Sequence, residues 1–181
     1  IIQMLSEDEL IEGCLKGDRK AQQQLYDKYS GVMFAVCLRY MPTTQDAEDA
    51  LVTGFTTIFS KLDTFERKGS LEGWMKKLMV HNAISLIRKN AKFFCQDDED
   101  LEHLNDEQPD IISRISAQEI IQLIQTLPDG YRSVFNLYAI EGYSYEEIAQ
   151  MLNVNIGTVR SQLSKARKTL QEKIKRQIDG K

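Results

Sequence analysis

Arg160, Ser161, Ser164, Lys165 and Lys168 bring hydroxyl and cationic donors into one short stretch. Such groups hydrogen-bond the edges of bases and neutralise phosphates, so the chemistry they suit is nucleic-acid binding. Val159, Leu163, Ala166 and Leu170 recur among them at three- and four-residue steps. In a helix those apolar residues turn inward, and the polar set faces outward. Asn155 stands where the cap of that helix belongs, and Gly157 and Thr158 just inside it would offer backbone N–H groups to a phosphate. Arg167 and Lys168 suit phosphate contacts that position without specifying.

A second helix must hold this one in place. Ser144 and Glu147 have the S-x-x-E spacing of a capping box, and Ile148, Ala149 and Leu152 share the face that follows. Asn153-Val154-Asn155 then breaks the period with turn residues around one apolar anchor. The two short helices and tight turn form a helix-turn-helix, whose second helix enters the major groove with its N-terminal residues at base edges. An ordinary helical hairpin would also have a charged outer face; the compact spacing favours DNA. Upstream, the pattern predicts a helix over about Ile111 to Leu127. Pro128 then starts another through Tyr131, Val134, Phe135, Leu137 and Tyr138, which Gly142 stops.

The net charge of −4 over 181 residues looks wrong for a DNA binder until it is divided along the chain. Residues 1–90 hold 12 lysines and arginines against 12 acids, residues 91–110 hold 1 against 8, and residues 111–181 hold 10 against 7. The acidic excess therefore belongs to one segment, and Ile156 to Arg176 carries 7 basic residues against Glu172 alone. That segment, Phe93 to Asp110, has a run of like charges, a proline and little periodicity, the composition of a flexible tether between domains. No apolar run approaches the roughly 20 residues of a membrane span, and Ile1-Ile2-Gln3-Met4-Leu5 is too short for a signal peptide. The protein is expected to be cytoplasmic. Cys14, Cys37 and Cys95 are odd in number and widely spaced, and His81 and His103 lack partners at ligand spacing. No disulfide framework, metal or cofactor is expected.

The first domain reads as helices throughout. Ser6 and Glu9 form a capping box ahead of Leu10, Ile11, Cys14 and Leu15. After Gly17-Asp18, a second helix carries Leu25, Tyr29, Val32, Met33, Val36, Cys37 and Tyr40 up to Pro42. A third, about Thr44 to Leu62, buries Ala47, Leu51, Phe55, Ile58, Phe59 and Leu62, with Asp46, Glu48 and Asp49 crowding its first turn. Phe65 to Gly69 reads as a loop. Ser70 caps a fourth helix with the stripe Leu71, Trp74, Met75, Leu78, Ala83, Leu86 and Ile87, and Lys76, Lys77, Arg88 and Lys89 lie opposite. Strand patterns, glycine-rich phosphate loops and nucleophile elbows are absent from the sequence. The fold is expected to be all-α: two small helical domains, 1–92 and 111–181, joined by the acidic linker 93–110.

Laid out in this way, the chain resembles the sigma-70 family of bacterial RNA polymerase sigma factors, and within it the extracytoplasmic-function (ECF) group that keeps only regions 2 and 4. The resemblance rests on GDRKAQQQLYDKY (Gly17 to Tyr29), DAEDALVTGFTTIF (Asp46 to Phe59), GSLEGWMKKLMVHNAISLIRK (Gly69 to Lys89) and YSYEEIAQMLNVNIGTVRSQLSKARKTL (Tyr143 to Leu170). It implies a subunit that binds core polymerase and directs promoter-specific initiation. The helix holding Asp46, Glu48, Asp49 and Thr53 would dock on the β′ clamp helices, although the family commonly reads Gln-Glu where this chain has Thr53-Gly54. Phe65 to Lys89 would recognise and melt the −10 element, holding a flipped nontemplate base. Lys68, Gly69 and Ser70 would form the loop, and Lys76, Lys77, Arg88 and Lys89 the phosphate contacts. His81 stands where asparagine is usual, with Asn82 displaced one step, so the preferred −10 base does not carry over. Trp74 is expected in the core. The helix-turn-helix would read the −35 element through Thr158, Arg160, Ser161, Gln162, Ser164, Lys165 and Lys168, and its domain would meet the β flap. Gln162 replaces a frequent arginine, and glutamine pairs with adenine where arginine pairs with guanine. Family members are commonly held by anti-sigma factors, so a cognate anti-sigma factor is a candidate partner.

Two rival readings differ in class. One is a two-domain helix-turn-helix regulator that never engages polymerase. The other, an enzyme using Asp46, Glu48 and Asp49, lacks a histidine, nucleophile or ligand set converging on those carboxylates.

Overall fold

Short-range sequence signals account for most helix boundaries in the computed structural model, which describes residues 5–89 and 116–179. Among the described residues all regular secondary structure is helical, and the chain divides into two compact units between Leu86 and Ile87. The expected linker at 93–110 and the expected helix start at Ile111 lie outside the described residues.

The N-terminal unit begins with α1 (Glu7–Leu15), opened by the reciprocal Ser6–Glu9 capping box. Asp18 caps α2 (Arg19–Tyr40) and Thr43 caps α3 (Thr44–Lys61), which tightens into a 3₁₀ turn at Leu62–Thr64. α4 spans Leu71–Lys89. Leu10, Leu25, Met33, Ile58, Leu71 and Met75 are at most 2% exposed and form the centre of the core. Phe55 bridges α2 and α3, its ring 4.7 Å from that of Tyr26. Leu15 and Val32, expected inside, are 51% and 37% exposed: each sits at the margin of its helix's apolar face.

α4 corrects the expected phase. Met79, Val80 and Ile84 are buried with Met75, Ala83 and Ile87, whereas Trp74 and Leu78 are only half-buried. The sequence of α4 is apolar around most of its circumference, so periodicity alone could not choose the inward face. Packing against α3 makes the choice. Gly54 has no side chain, and a Cβ there would stand 2.1 Å from the Met79 sulfur. The missing side chain lets Met79 fill that space.

The C-terminal unit holds α5 (Ala117–Gln125), α6 (Asp129–Phe135), α7 (Tyr145–Leu152) and α8 (Ile156–Asp179). A capping box of Ser116 and Glu119, which periodicity did not reveal, opens α5. Leu123, Leu127, Ala166 and Leu170 pack α5 against α8. Pro128 is the cap of α6 and not its first residue. Arg132 was not expected inside, yet it is 1% exposed. Its guanidinium donates to the Gln125 and Leu127 carbonyls at 3.2 and 2.8 Å and pairs with Asp129, so the buried charge is both paired and hydrogen-bonded. After α6 the backbone widens into a π-helical turn, Asn136–Ile140, where the Glu141 N–H donates to the Asn136 carbonyl five residues back. Gly142, at φ +79°, ends it.

Candidate nucleic-acid interface

The turn between α7 and α8 is closed by its own side chains. Asn153 adopts a left-handed conformation (φ 56°) at the end of α7, and Asn155 caps α8 as expected. The Asn155 Oδ1 accepts from the Thr158 N–H at 2.7 Å and from its hydroxyl at 3.0 Å. That cap corrects the idea of a Thr158 amide open to phosphate, because its N–H is already used. Behind the turn, Val159, Leu163, Ala166 and Leu170 are buried as the spacing requires. Arg160 and Lys168 are exposed, with Ser161, Ser164 and Lys165 half-buried beside them.

Gln162 does not belong to this face. It is 8% exposed, and its amide lies against Gly130 of α6, where a Cβ would come within 2.7 Å of the Gln162 Oε1. Two residues beyond Arg160 turn the helix by about 200°, which points Gln162 into the unit. Its reading as an adenine-specific contact is therefore corrected: it packs against the start of α6.

Sequence reasoning also missed an aromatic support beneath the arginines. The rings of Tyr138 and Tyr145 stack with centroids 5.0 Å apart and an interplanar angle of 12°. The Arg160 guanidinium lies 5.5 Å from the Tyr145 ring centre, and that of Arg167 lies 5.6 Å from the Tyr138 ring centre. Burial is the main cause that pushes the Tyr145 hydroxyl above its usual range, assisted by a hydrogen bond with Tyr138, while the two arginines pull the other way. The only advance signal was two tyrosines flanking Gly142 and two arginines seven residues apart, and nothing local links the two pairs.

In the N-terminal unit, the segment from Phe65 to Ser70 joins α3 to α4. Arg67 takes a left-handed conformation (φ 57°) and pairs with Asp8 of α1 at 2.8 Å; Gly69 follows at φ +94°. Lys68 pairs with Glu66 at 2.7 Å in solvent, and the Ser70 Oγ accepts the Gly73 N–H at 3.1 Å, capping α4 as expected. Trp74 is half-buried against the Phe65 ring, 5.3 Å between centroids, and not in the core. Lys76 pairs with Glu72 at 2.6 Å, while Lys77, His81, Arg88 and Lys89 are exposed.

Asn82 is committed elsewhere. Its Nδ2 donates to the Ala50 carbonyl and to the Thr53 Oγ1, each at 3.0 Å, so it joins α4 to α3 and spends its donor within the unit. On α3, Asp46, Glu48 and Asp49 are exposed. The Thr43 hydroxyl donates to the Asp46 carboxylate at 2.5 Å. The Thr53 hydroxyl accepts from Asn82 and lies 3.1 Å from both the Asp49 and Ala50 carbonyls, which occupies it within the unit.

The two units match two family models in the expected order. Residues 25–93 match Sigma-70 region 2, and residues 117–170 match Sigma-70 region 4. The chain belongs to the sigma-70 family. Its ECF membership agrees with relatives matched almost end to end. It is 28% identical over 184 residues to the ECF RNA polymerase sigma-E factor of Escherichia coli (strain K12), covering 95% of this chain and 96% of that one. With its counterpart in Haemophilus influenzae it shares 24% identity, over 95% and 97% of the two chains. The fold is similar to that of the sigma factor RpoE solved in complex with the anti-sigma factor NepR from Bartonella quintana. There the TM-score is 0.50 and the identity 22%, covering 84% of this chain and 96% of the other.

As an ECF sigma factor the protein binds core RNA polymerase and promoter DNA and directs promoter-specific initiation. The reading as a regulator that never engages polymerase is thereby set aside. Residues 117–170 of the C-terminal unit thus carry region 4, and residues 25–93 carry region 2. Among the described residues of this sigma factor, no helix is long and apolar enough to cross a membrane.

Proposed function

We propose that Arg160, Ser161, Ser164, Lys165 and Lys168 of α8 recognise the −35 element, with Thr158 contributing no backbone donor. The supporting observation is the exposed, basic N-terminal half of a helix whose preceding turn is closed by Asn155. Lys68, Gly69 and Ser70 form the −10 loop in this reading. Lys76, Lys77, Arg88 and Lys89 track the strand backbone, and His81, exposed on α4, faces the bases. Asp46, Glu48 and Asp49 on the exposed first turns of α3 dock on the β′ clamp helices. Residues 1–92 thus serve docking and melting, 93–110 tether, and 111–181 hold the −35 contact and meet the β flap. The protein acts in the cytoplasm, catalyses no reaction itself and is held by a cognate anti-sigma factor, as the neighbour solved with NepR is.

The test adds the full-length protein to core polymerase and a library randomised over both promoter elements. Enriched sequences with two conserved blocks are expected, and R160A should relax one block only. Promoter opening without any −35 preference would overturn the assignment of α8.

A further inference from the structure

The stack of Arg160, Tyr145, Tyr138 and Arg167 joins three segments of region 4 that sequence spacing keeps apart. We propose that Tyr138 and Tyr145 are positioning residues for −35 recognition, holding Arg160 and Arg167 in place before the promoter arrives. The inference rests on the reading of α8 as the −35 helix. Arg160 and Arg167 are seven residues apart, close to two full turns, so they emerge on the same side of α8 about 10 Å from each other. Each guanidinium lies over an aromatic face, an attraction between the cation and the electron-rich ring. A guanidinium held by its face keeps its planar edge of N–H donors for a base or phosphate oxygen.

The consequence is entropic. A long unrestrained side chain gives up its rotamers when it binds, and a stacked one has given them up already. The tyrosines are themselves braced. Their rings lie nearly parallel, Tyr145 is in the first turn of α7, and Tyr138 sits in the middle of the π-helical turn. Neither tyrosine needs to touch DNA for the effect.

The experiment loads full-length protein on core polymerase and compares open-complex formation on a promoter selected by the wild type with that on the same promoter carrying a shuffled −35 block. Wild-type protein that does not distinguish the two refutes the −35 reading itself. If it does distinguish them, Y145L should lower the preference about two- to tenfold, the cost of immobilising one long side chain on binding, whereas Y138L, which frees the phosphate-contacting Arg167, should lower open-complex formation on both templates alike. Y138F and Y145F should stay within twofold of wild type on both templates. Pentafluorophenylalanine at either position keeps the ring's shape but withdraws the electron density of its face; it should reproduce the leucine loss even if leucine disturbs folding. Y145L should cost little more in R160A than R160A costs alone. Undiminished preference with the fluorinated ring in place of Tyr145, equal losses with phenylalanine, or full additivity of R160A and Y145L would each overturn the proposal.

Discussion

Gly54 and Met79 share one volume: a Cβ on Gly54 would come within 2.1 Å of the Met79 sulfur and 2.6 Å of its methyl carbon. Glycine inside a helix costs about 1 kcal/mol relative to alanine, and α3 accepts that cost to let α4 approach.

Gly54→Ala should therefore destabilise region 2 although it raises helix propensity. Overpacking of a filled core costs about 1–3 kcal/mol, so after the gain of about 1 kcal/mol in helix propensity a net loss of up to about 2 kcal/mol is expected in urea denaturation. In G54A/M79A the clash is removed, and the double variant should be more stable than the two single losses predict. Simple additivity would show that the two residues do not compete for space.

His81 and Asn82 are neighbours with separate roles. Asn82→Ala removes two hydrogen bonds between α4 and α3 and should lower stability by about 1–3 kcal/mol, without changing which −10 base is preferred. His81→Ala should do the reverse, leaving the melting curve in place and altering the −10 block selected by the polymerase. A shifted −10 preference in the folded N82A holoenzyme would contradict this division.

Gln162 has a buried Oε1 without a hydrogen-bond partner. Replacing it by leucine removes an unsatisfied acceptor at similar volume, which is near neutral or stabilising in such settings. Q162L should therefore keep or raise the thermal midpoint of region 4 and leave the −35 consensus unchanged. A changed base at one −35 position would show that the side chain reaches DNA after all.

Alkali should weaken region 2. Burial pushes the Cys37 thiol from 9.0 up to about 12, and burial with donation to the Glu7 carboxylate raises the Tyr29 hydroxyl as well. Both groups are held neutral in the folded state, so the unfolded chain loses its protons first and stability falls as pH rises. The Cys37 contribution is complete below about pH 9 and is lost progressively toward pH 12. C37A and Y29F should each flatten the slope of denaturation midpoint against pH across that range, which a pH series of urea melts would measure.

Much of the fold was legible because its helix starts are written locally. Ser6 with Glu9, Ser144 with Glu147, and Asn155 all cap as their spacing implies. The recognition helix was legible for a related reason: its buried residues keep strict three- and four-residue steps and are interrupted by charge. α4 was not, since an apolar sequence on most sides leaves the choice of face to α3, above all to Gly54. Arg132 and Gln162 were missed because polar residues are ordinarily outside. Only tertiary neighbours, the α5–α6 carbonyls for one and Gly130 for the other, draw them in.

The π-helical turn at Asn136–Ile140 holds a residue more than an α-helical turn would. The surplus sets the direction in which Tyr138 leaves the backbone, which in this structure is toward Tyr145. Deleting one residue would let the segment relax to an ordinary helix, and everything on one side of the deletion would swing by about 100°. Segment length here thus acts as a rotary setting for the aromatic support. Among homologues, a single-residue insertion or deletion between Phe135 and Gly142 could alter promoter choice with every side chain of the recognition helix unchanged.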